Sequence, residues 1–209
     1  MKISISLALL APTLASAFTP APASSSSVDL AMSDATADAS NGWVPDKKKF
    51  CYGLTGSFAP MGEFDPLGFC KDRDLVGVKR FREAEIMHGR VAMMATVGYL
   101  ITENTPTIAF GFEHPTIAND QIAGIPITVM GPFFLLINIL EAFRATKGWV
   151  EPGDGELFTL RETYYPGDLG FDPLDWKPVS AEDFAEMQGK ELSNGRLAMF
   201  AVAGMCAQE

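Results

Sequence analysis

Three apolar stretches, at 91–101, 125–137 and 197–207, interrupt a chain that is otherwise rich in charged residues, glycine and proline. Extended to the polar residues that flank them, they predict three helices, over about 72–102, 125–146 and 181–208. The first would be about 46 Å long at 1.5 Å per residue, so it must tilt in a bilayer or project from it. The pattern therefore predicts an all-α membrane protein with three transmembrane helices.

The first 42 residues differ in composition from the rest. Met1 and Lys2 precede a short apolar run at 3–10 and small residues at 15–17, which is the pattern of a secretory signal peptide over residues 1–17. That run is too short to span a membrane. Residues 18–42 are rich in Pro, Ala and Ser and cannot bury a core, so they are predicted to be a disordered leader. The membrane domain then occupies residues 43–209.

A polar cluster, Glu85, His88 and Arg90, stands at the start of the first apolar run. It is repeated, since a shift of 106 positions gives eight identities among the nineteen positions 85–103. Where the first copy has His88, the second has Asn194. The likeness reaches upstream to two similar strings, 64–68 and 170–174. The identities are Glu85/Glu191, Gly89/Gly195, Arg90/Arg196, Ala92/Ala198, Met93/Met199, Ala95/Ala201, Gly98/Gly204 and Glu103/Glu209.

Charged residues at the centre of a membrane helix cost roughly 2.5–3.5 kcal/mol each on insertion scales, so the two clusters need compensation. If the first and third helices cross about a pseudo-twofold axis, Glu85 can pair with Arg196 and Glu191 with Arg90. Arg suits such pairs because its planar fork grips a carboxylate and stays protonated. Four glycines, Gly89, Gly98, Gly195 and Gly204, would let the two backbones approach closely. The alternative is a pair of purely structural salt bridges.

The same residue types suit a magnesium ion. Glu85 and His88 share one helix face at i, i+3, as do Glu191 and Asn194. A carboxylate already neutralised by Arg, an imidazole nitrogen and an amide oxygen can each supply one axial bond, because Mg²⁺ prefers hard donors and accepts few protein ligands. A packed histidine and an asparagine that hydrogen-bonds between helices remain alternatives.

Basic residues gather before the first helix and after the second, whereas the loop at 103–124 has no Lys or Arg. The positive-inside rule therefore places that loop on the side opposite to both basic segments. Residues 79–83 should lie at the lipid headgroups, and Ser180 with Asp183 loosely fits a capping box for the third helix. The loop carries four ionisable side chains, Glu103, Glu113, His114 and Asp120.

Composition excludes several classes. A net charge of −10 argues against nucleic acid, which requires basic patches. Three cysteines with no CxxC spacing indicate neither a disulfide framework nor a zinc site. No nucleophile–base set is present, and the ionisable residues form symmetric pairs instead of lining a path, so an enzyme or a transporter is a poor fit.

The strings E-x-x-H-G-R-x-A-M from Glu85 and E-x-x-N-G-R-x-A-M from Glu191 resemble the first and third membrane helices of the chlorophyll-binding light-harvesting family. The resemblance implies crossed helices held by reciprocal Glu–Arg pairs. It also implies a second-helix ligand, Glu141, paired with Arg144. The chlorophyll magnesium ligands it implies are Glu85, His88, Glu141, Glu191, Asn194 and Gln208, with Arg90 and Arg196 as ion-pair partners.

The junction Ala15-Ser16-Ala17-Phe18 resembles the two-part plastid presequence of algae with secondary plastids, which makes 18–42 a plastid transit segment. The strings 64–68 and 83–90 resemble fucoxanthin–chlorophyll a/c proteins, and the loop at 148–168 resembles their stress-related branch. These likenesses imply chlorophyll a, chlorophyll c, fucoxanthin and diadinoxanthin or diatoxanthin as cofactors. They imply a multi-pass protein of the thylakoid membrane, associated with photosystem I or II and other antenna proteins and possible as an oligomer. The family continues past Gln208, so a C-terminal tail is expected to be missing.

The resemblance implies light harvesting with photoprotective quenching of excess excitation. Glu103, Glu113, His114 and Asp120 are then candidate sensors of lumenal acidity, since carboxylates that share a loop repel one another and their pKa values rise. A merely solvated acidic loop is the alternative. A pigment-free membrane scaffold, held together by the Glu–Arg pairs alone, is the rival function.

Overall fold

The computed structural model describes residues 41–104, 108–109, 112–113 and 115–209. The expected signal peptide, residues 18–40 of the expected leader and His114 lie outside the described residues. Residues 41 and 42, at the end of the predicted leader, contact the rest of the described chain. Asn41 Nδ2 donates to Asp168 Oδ2 at 2.8 Å, and Gly42 adopts a positive φ of 78° beside Ala181.

Helices dominate the architecture. The three long ones are α1 (Leu75–Asn104), α3 (Ile127–Gly148) and α4 (Ala181–Gln208), and the short α2 spans Ala118–Gly124. Two-residue strands β1 (Ile108–Ala109) and β2 (Phe112–Glu113) pair antiparallel. The stretch 103–124, expected to be a loop, therefore contains the end of α1, a small hairpin and α2.

Local side chains explain where the helices begin. Asp74 Oδ1 accepts from Gly77 N at 3.1 Å, so α1 starts after Asp74 and not at the expected residue 72. Pro126 precedes α3 and disfavours helical geometry at Ile125, which moves the start from residue 125 to Ile127. The capping box expected at Ser180 is wrong, because its side chain makes no capping hydrogen bond.

The helices α1 and α4 form the most extensive contact between elements. Their backbones come closest at Gly89 and Gly195, where a Cβ added to either residue would lie 3.0–3.1 Å from the Cα of the other. Gly98 and Gly204 have no such neighbour within 4 Å. The expectation that all four glycines allow close approach is therefore wrong for this second pair, because the backbones have separated by that level.

The internal repeat is visible in the turns that lead to the two helices. Asp65 accepts from the backbone N–H groups four and five residues ahead, at 2.9 and 2.8 Å. Asp172 does the same at 3.0 and 2.6 Å. Gly68 and Asp175, each three residues after its aspartate, both have positive φ, 68° and 53°. Two sequence-distant strings thus fold into the same capped turn.

A small core lies at one end of the α1–α4 pair. Leu54, Val78 and Tyr165 are buried there, and Trp43 and Phe184 pack against them. Elsewhere α1, α3 and α4 present large apolar side chains to their surroundings, and none of the apolar window of α3 is buried. Among the described residues, α3 alone is long and apolar enough by itself to cross a membrane.

Candidate pigment-binding site

Two reciprocal ion pairs join α1 to α4. Arg90 Nε lies 2.7 Å from Glu191 Oε1, and Arg196 Nη2 lies 2.7 Å from Glu85 Oε1. These are the pairs that the repeat predicts. Each arginine also donates to a backbone carbonyl at 2.8 Å, Arg90 to Gly167 and Arg196 to the carbonyl at position 56. Each of these two guanidinium groups thus joins the opposite helix to a connecting segment.

Each carboxylate keeps one oxygen for another partner. Glu85 and Glu191 are 28% and 32% exposed, and their Oε2 atoms accept no hydrogen bond from the described residues. Arg82 Nη1 lies 3.5 Å from Glu85 Oε2, and it is buried with no hydrogen-bond acceptor in the described part of the chain. Glu85 therefore faces two guanidinium groups, whereas Glu191 faces one.

A cleft lies beside each pair. The Glu85 cleft, of 670 Å³, is bordered by Phe64, Phe81 and Phe200. The Glu191 cleft, of 380 Å³, is bordered by Phe171 and Trp176, among others. Both combine apolar walls with one carboxylate oxygen held by an arginine. This donor set fits a flat apolar ring with a hard metal ion at its centre.

His88 and Asn194 are both exposed on the outer faces of their helices. His88 Nδ1 lies 2.7 Å from the Ala84 carbonyl, the geometry of a donated N–H bond, which places the lone pair on Nε2. A nitrogen held in that tautomer is a suitable axial ligand. The structure does not bring His88 and Asn194 to the ion pairs, so they would serve separate ligands.

The second-helix pair forms within α3. Arg144 Nη2 lies 2.7 Å from Glu141 Oε2, and its Nη1 lies 2.9 Å from Glu83 Oε1. Glu141 is exposed, so it stays accessible to a ligand. Arg144 thereby joins α3 to α1.

Glu83 is the site residue that sequence reasoning missed. The sequence analysis assigns it no site role, yet only 3% of it is exposed. Besides Arg144, it accepts from Tyr164 Oη at 3.1 Å and Gly167 N at 2.7 Å. Lys79, also buried, donates to the Glu162 and Tyr164 carbonyls. The sequence pattern that could have indicated this burial is the spacing of residues 79, 82, 83 and 86, which places them on one helix face.

The other end of α1 and α4 carries a second polar group. Tyr99 Oη contacts Cys206 Sγ at 2.9 Å and Asn119 Oδ1, while Asn119 N donates to Glu209 Oε2 at 2.9 Å. Glu103 also lies near Glu209 at this end of the helices. Asp120 and Gln208 are exposed there. The Glu113 side chain lies outside the described part of the chain.

Groups in the connecting segments titrate away from their usual ranges. Burial and nearby Glu83 raise the pKa of Tyr164, and burial raises the pKa of Tyr165. Burial opposes ionisation of Asp168, but hydrogen bonds from Lys177 and Asn41 outweigh it and lower the pKa of that carboxyl. The segment is therefore held by protonated tyrosines and an ionised aspartate at neutral pH.

The sequence profile of the family described as chlorophyll A-B binding protein matches residues 50–209. The chain belongs to this family. Its members are light-harvesting, pigment-binding antenna proteins, and the family is not one of enzymes. The matched residues contain α1, α3 and α4 and both clefts.

Individual members of the chlorophyll a-b binding family are similar to this chain. A fucoxanthin-chlorophyll a-c binding protein of Isochrysis galbana is 47% identical over 164 residues, 77% of this chain and 78% of that protein. The light-harvesting complex stress-related proteins 3.2 and 1 of Chlamydomonas reinhardtii are 41% and 40% identical over 163 residues, 75% of this chain. The match spans less than two thirds of either Chlamydomonas protein, 62% and 64%. All three are named as chloroplastic.

Proposed function

We propose that this protein is a light-harvesting antenna of the thylakoid membrane that binds chlorophyll and carotenoid. One observation carries the proposal: reciprocal Arg–Glu pairs hold two carboxylates between α1 and α4 and leave one oxygen of each beside an apolar cleft. Bound chlorophyll would supply light absorption and excitation transfer. The protein's own part is to fix the position and tilt of each ring.

In the proposed architecture α1, α3 and α4 all span the membrane, and α1 crosses α4 about a pseudo-twofold axis. Helices of 22–30 residues are about 33–45 Å long, enough to span the hydrocarbon layer. The matched capped turns, the matched arginine–carbonyl bonds and the contact of Gly89 with Gly195 support the axis. The exposed apolar residues would then face lipid or pigment.

The proposed magnesium ligands are Glu85 and Glu191 through Oε2, His88 through Nε2, Asn194 and Gln208 through their amide oxygens, and Glu141. Arg90, Arg196 and Arg144 neutralise the three glutamates, so that a neutral site, and not a bare charge, lies in lipid. Each ligand occupies a different helix face or level, which separates the rings.

Chlorophyll a, chlorophyll c and fucoxanthin are the proposed pigments, supported by the name of the Isochrysis relative. Diadinoxanthin or diatoxanthin is proposed from the sequence resemblance alone. Photosystem I or II, other antenna proteins and thylakoid lipid are the proposed partners. A pigment-free scaffold is disfavoured by membership in a pigment-binding family.

A photoprotective role is supported by the stress-related relatives. For this role we propose Glu103, Glu113, His114 and Asp120 as sensors of lumenal pH. Glu103 lies near Glu209, which accepts from Asn119 N of α2, so two ionised carboxylates would repel one another at this end and protonation of either one would remove that repulsion. Replacing the four sensors with Gln or Asn should remove the acid response of the fluorescence lifetime, and an unchanged response rejects the sensor.

The central test is pigment binding by a matched pair of variants. Glu191→Gln should lose the pigment beside the Glu191 cleft, because an amide gives Mg²⁺ a weaker ligand and Arg90 no counter-charge. Glu186→Gln is the control, since Glu186 lies on the same helix in an exposed pair with Lys190. Pigment extraction and absorption spectra of the purified proteins give the measurement.

A colourless native protein would overturn the proposal in favour of the scaffold. Equal pigment content in Glu191→Gln and Glu186→Gln would reject Glu191 as a ligand.

A further inference from the structure

Two of the three cysteines meet in the segment before α1. Cys51 lies in the 3-10 turn Phe50–Gly53, and Cys70 lies at the end of the turn capped by Asp65. The two cysteines border the same two clefts, and Cys70 lies close enough to Cys51 to influence its ionisation. Both are free and half-buried. Two thiols held this near each other are candidates for a disulfide, which sequence spacing does not indicate.

The backbone fixes both cysteines in place. Cys70 N donates to Asp65 Oδ2 at 2.8 Å, and the Cys51 carbonyl accepts from Leu54 N at 3.2 Å. Cys51 has a φ of 46°, which is uncommon for a residue other than glycine. The surrounding fold, and not local preference, therefore holds Cys51 against Cys70.

The surroundings admit an oxidant. Both cysteines border a cleft of 410 Å³ whose other lining side chains include five basic and two acidic ones, so its charge is positive overall. Electropositive and partly exposed surroundings are typical of reactive cysteines. Burial raises the pKa of Cys51 to about 12, so Cys51 stays a thiol, and the first reaction is assigned to Cys70.

We propose that Cys51 and Cys70 form a reversible disulfide in the folded protein, with hydrogen peroxide as the oxidant. The Cys70 thiolate takes one oxygen of the peroxide, giving a sulfenic acid and a hydroxide that is protonated to water. The Cys51 sulfur then attacks Cys70, its proton leaves with the hydroxyl group as a second water, and the S–S bond forms. Two thiols and one peroxide thus give one disulfide and two waters, and a dithiol reductant restores the thiols.

The disulfide would stiffen the wall of the Glu85 cleft, which both cysteines border. The closed loop contains Gly56, whose carbonyl accepts from Arg196 Nη1 at 2.8 Å. Oxidation would therefore restrain a segment that positions the arginine paired with Glu85. This consequence rests on the proposed function, whereas the disulfide itself does not.

Mass spectrometry of the pigment-loaded full chain tests the link. The protein is treated with hydrogen peroxide, free thiols are blocked with N-ethylmaleimide, and the chain is digested. Peptides containing Cys51 and Cys70 should appear joined, lighter by two hydrogens, and should separate with dithiothreitol. Cys206→Ser is the control that should leave the link intact, because Cys206 contacts Tyr99 at the far end of α1.

A variant gives the second arm. Cys70→Ser should lose both the link and any change in absorption or fluorescence lifetime on oxidation. Separate alkylation of both thiols, or oxidation of Cys70 to sulfinic acid without a link, would overturn the proposal. A link without a spectral change in pigmented protein would overturn the effect on the cleft. A link in colourless protein would refute the antenna function and leave the disulfide standing.

Discussion

The two copies of the repeat make the same kinds of contact where α1 and α4 cross, and different contacts one turn earlier. Both copies have a capped turn, an arginine bound to a carbonyl and a glutamate bound to the opposite arginine. One turn earlier, position 82 is a buried arginine whose Nη1 has no hydrogen-bond acceptor among the described residues, whereas its counterpart Gln188 accepts from Thr55 and Tyr165. The copies thus match in the capped turns and the ion pairs but not at the position between them.

The next position shows why the copies diverge. Glu83 binds Arg144 and attaches α3. Its counterpart, Gly189, leaves room for the Phe58 ring, which would lie 2.8 Å from an added Cβ. Helix α3 therefore attaches to the first copy, whereas the segment around Phe58 packs against the second. The two copies differ at this level because they bind different parts of the chain.

The largest effect is expected from Glu83→Leu. It leaves Arg144 Nη1, Tyr164 Oη and Gly167 N without their acceptor in a buried setting, which should destabilise the protein by about 3–5 kcal/mol. Thermal unfolding followed by circular dichroism measures it. Glu186→Leu, in an exposed pair, should change stability by less than about 0.5 kcal/mol. Equal effects would show that Glu83 does not attach α3.

A smaller difference is expected between the contributions of the two ion pairs to stability. Glu85→Gln leaves Arg196 and Arg82 without a carboxylate, whereas Glu191→Gln leaves only Arg90. Since these pairs are about one-third exposed, we expect losses of about 2–3 and 1–2 kcal/mol, respectively. The temperature of pigment release measures both. A larger loss for Glu191→Gln would contradict the role given to Arg82.

The contact between helix backbones can be tested with alanine. Gly195→Ala puts a Cβ 3.0 Å from the Gly89 Cα and should cost about 1–3 kcal/mol by forcing α1 and α4 apart. Gly204→Ala meets nothing within 4 Å and should be neutral or stabilising by up to about 1 kcal/mol. Denaturation by heat compares them. If both variants behaved alike, the close approach would not be confined to one level.

The smallest expected effect is the contribution of Asp168, in the second copy, to the pH dependence of stability. Because the pKa of Asp168 is lowered in the folded protein, its bonds to Lys177 and Asn41 stabilise at neutral pH and are lost as pH falls below about 4. Asp168→Asn should lose about 0.5 kcal/mol at pH 7 and show less further loss on acidification, since this half-buried pair is partly screened. Unfolding at several pH values measures it, and a parallel pH dependence in the wild type would oppose the assignment.

Much of the site could be predicted because the repeat itself carries the information. Two charged clusters in apolar runs need partners, and each supplies what the other lacks, so Glu85–Arg196 and Glu191–Arg90 follow from sequence and electrostatics. The three long helices follow from the apolar stretches and from the polar residues at their ends.

The missed features depend on chain segments without periodicity. Glu83 and Lys79 are bound by the segment at 162–167, whose path no pattern reveals. Cys51 and Cys70 border the same clefts because two irregular turns bring them near each other. Gly98 and Gly204 repeat the spacing of Gly89 and Gly195, but spacing alone does not say where two helices separate.

Because α1 and α4 come closest at Gly89 and Gly195, a change in their crossing angle would pivot about this contact. The part of α1 from Gly89 to Asn104 is about 22 Å long at 1.5 Å per residue, so each degree of rotation moves its end by about 0.4 Å. Small movements at the helix ends, near Tyr99 and Cys206, would therefore change the crossing angle and the distances between the two helices.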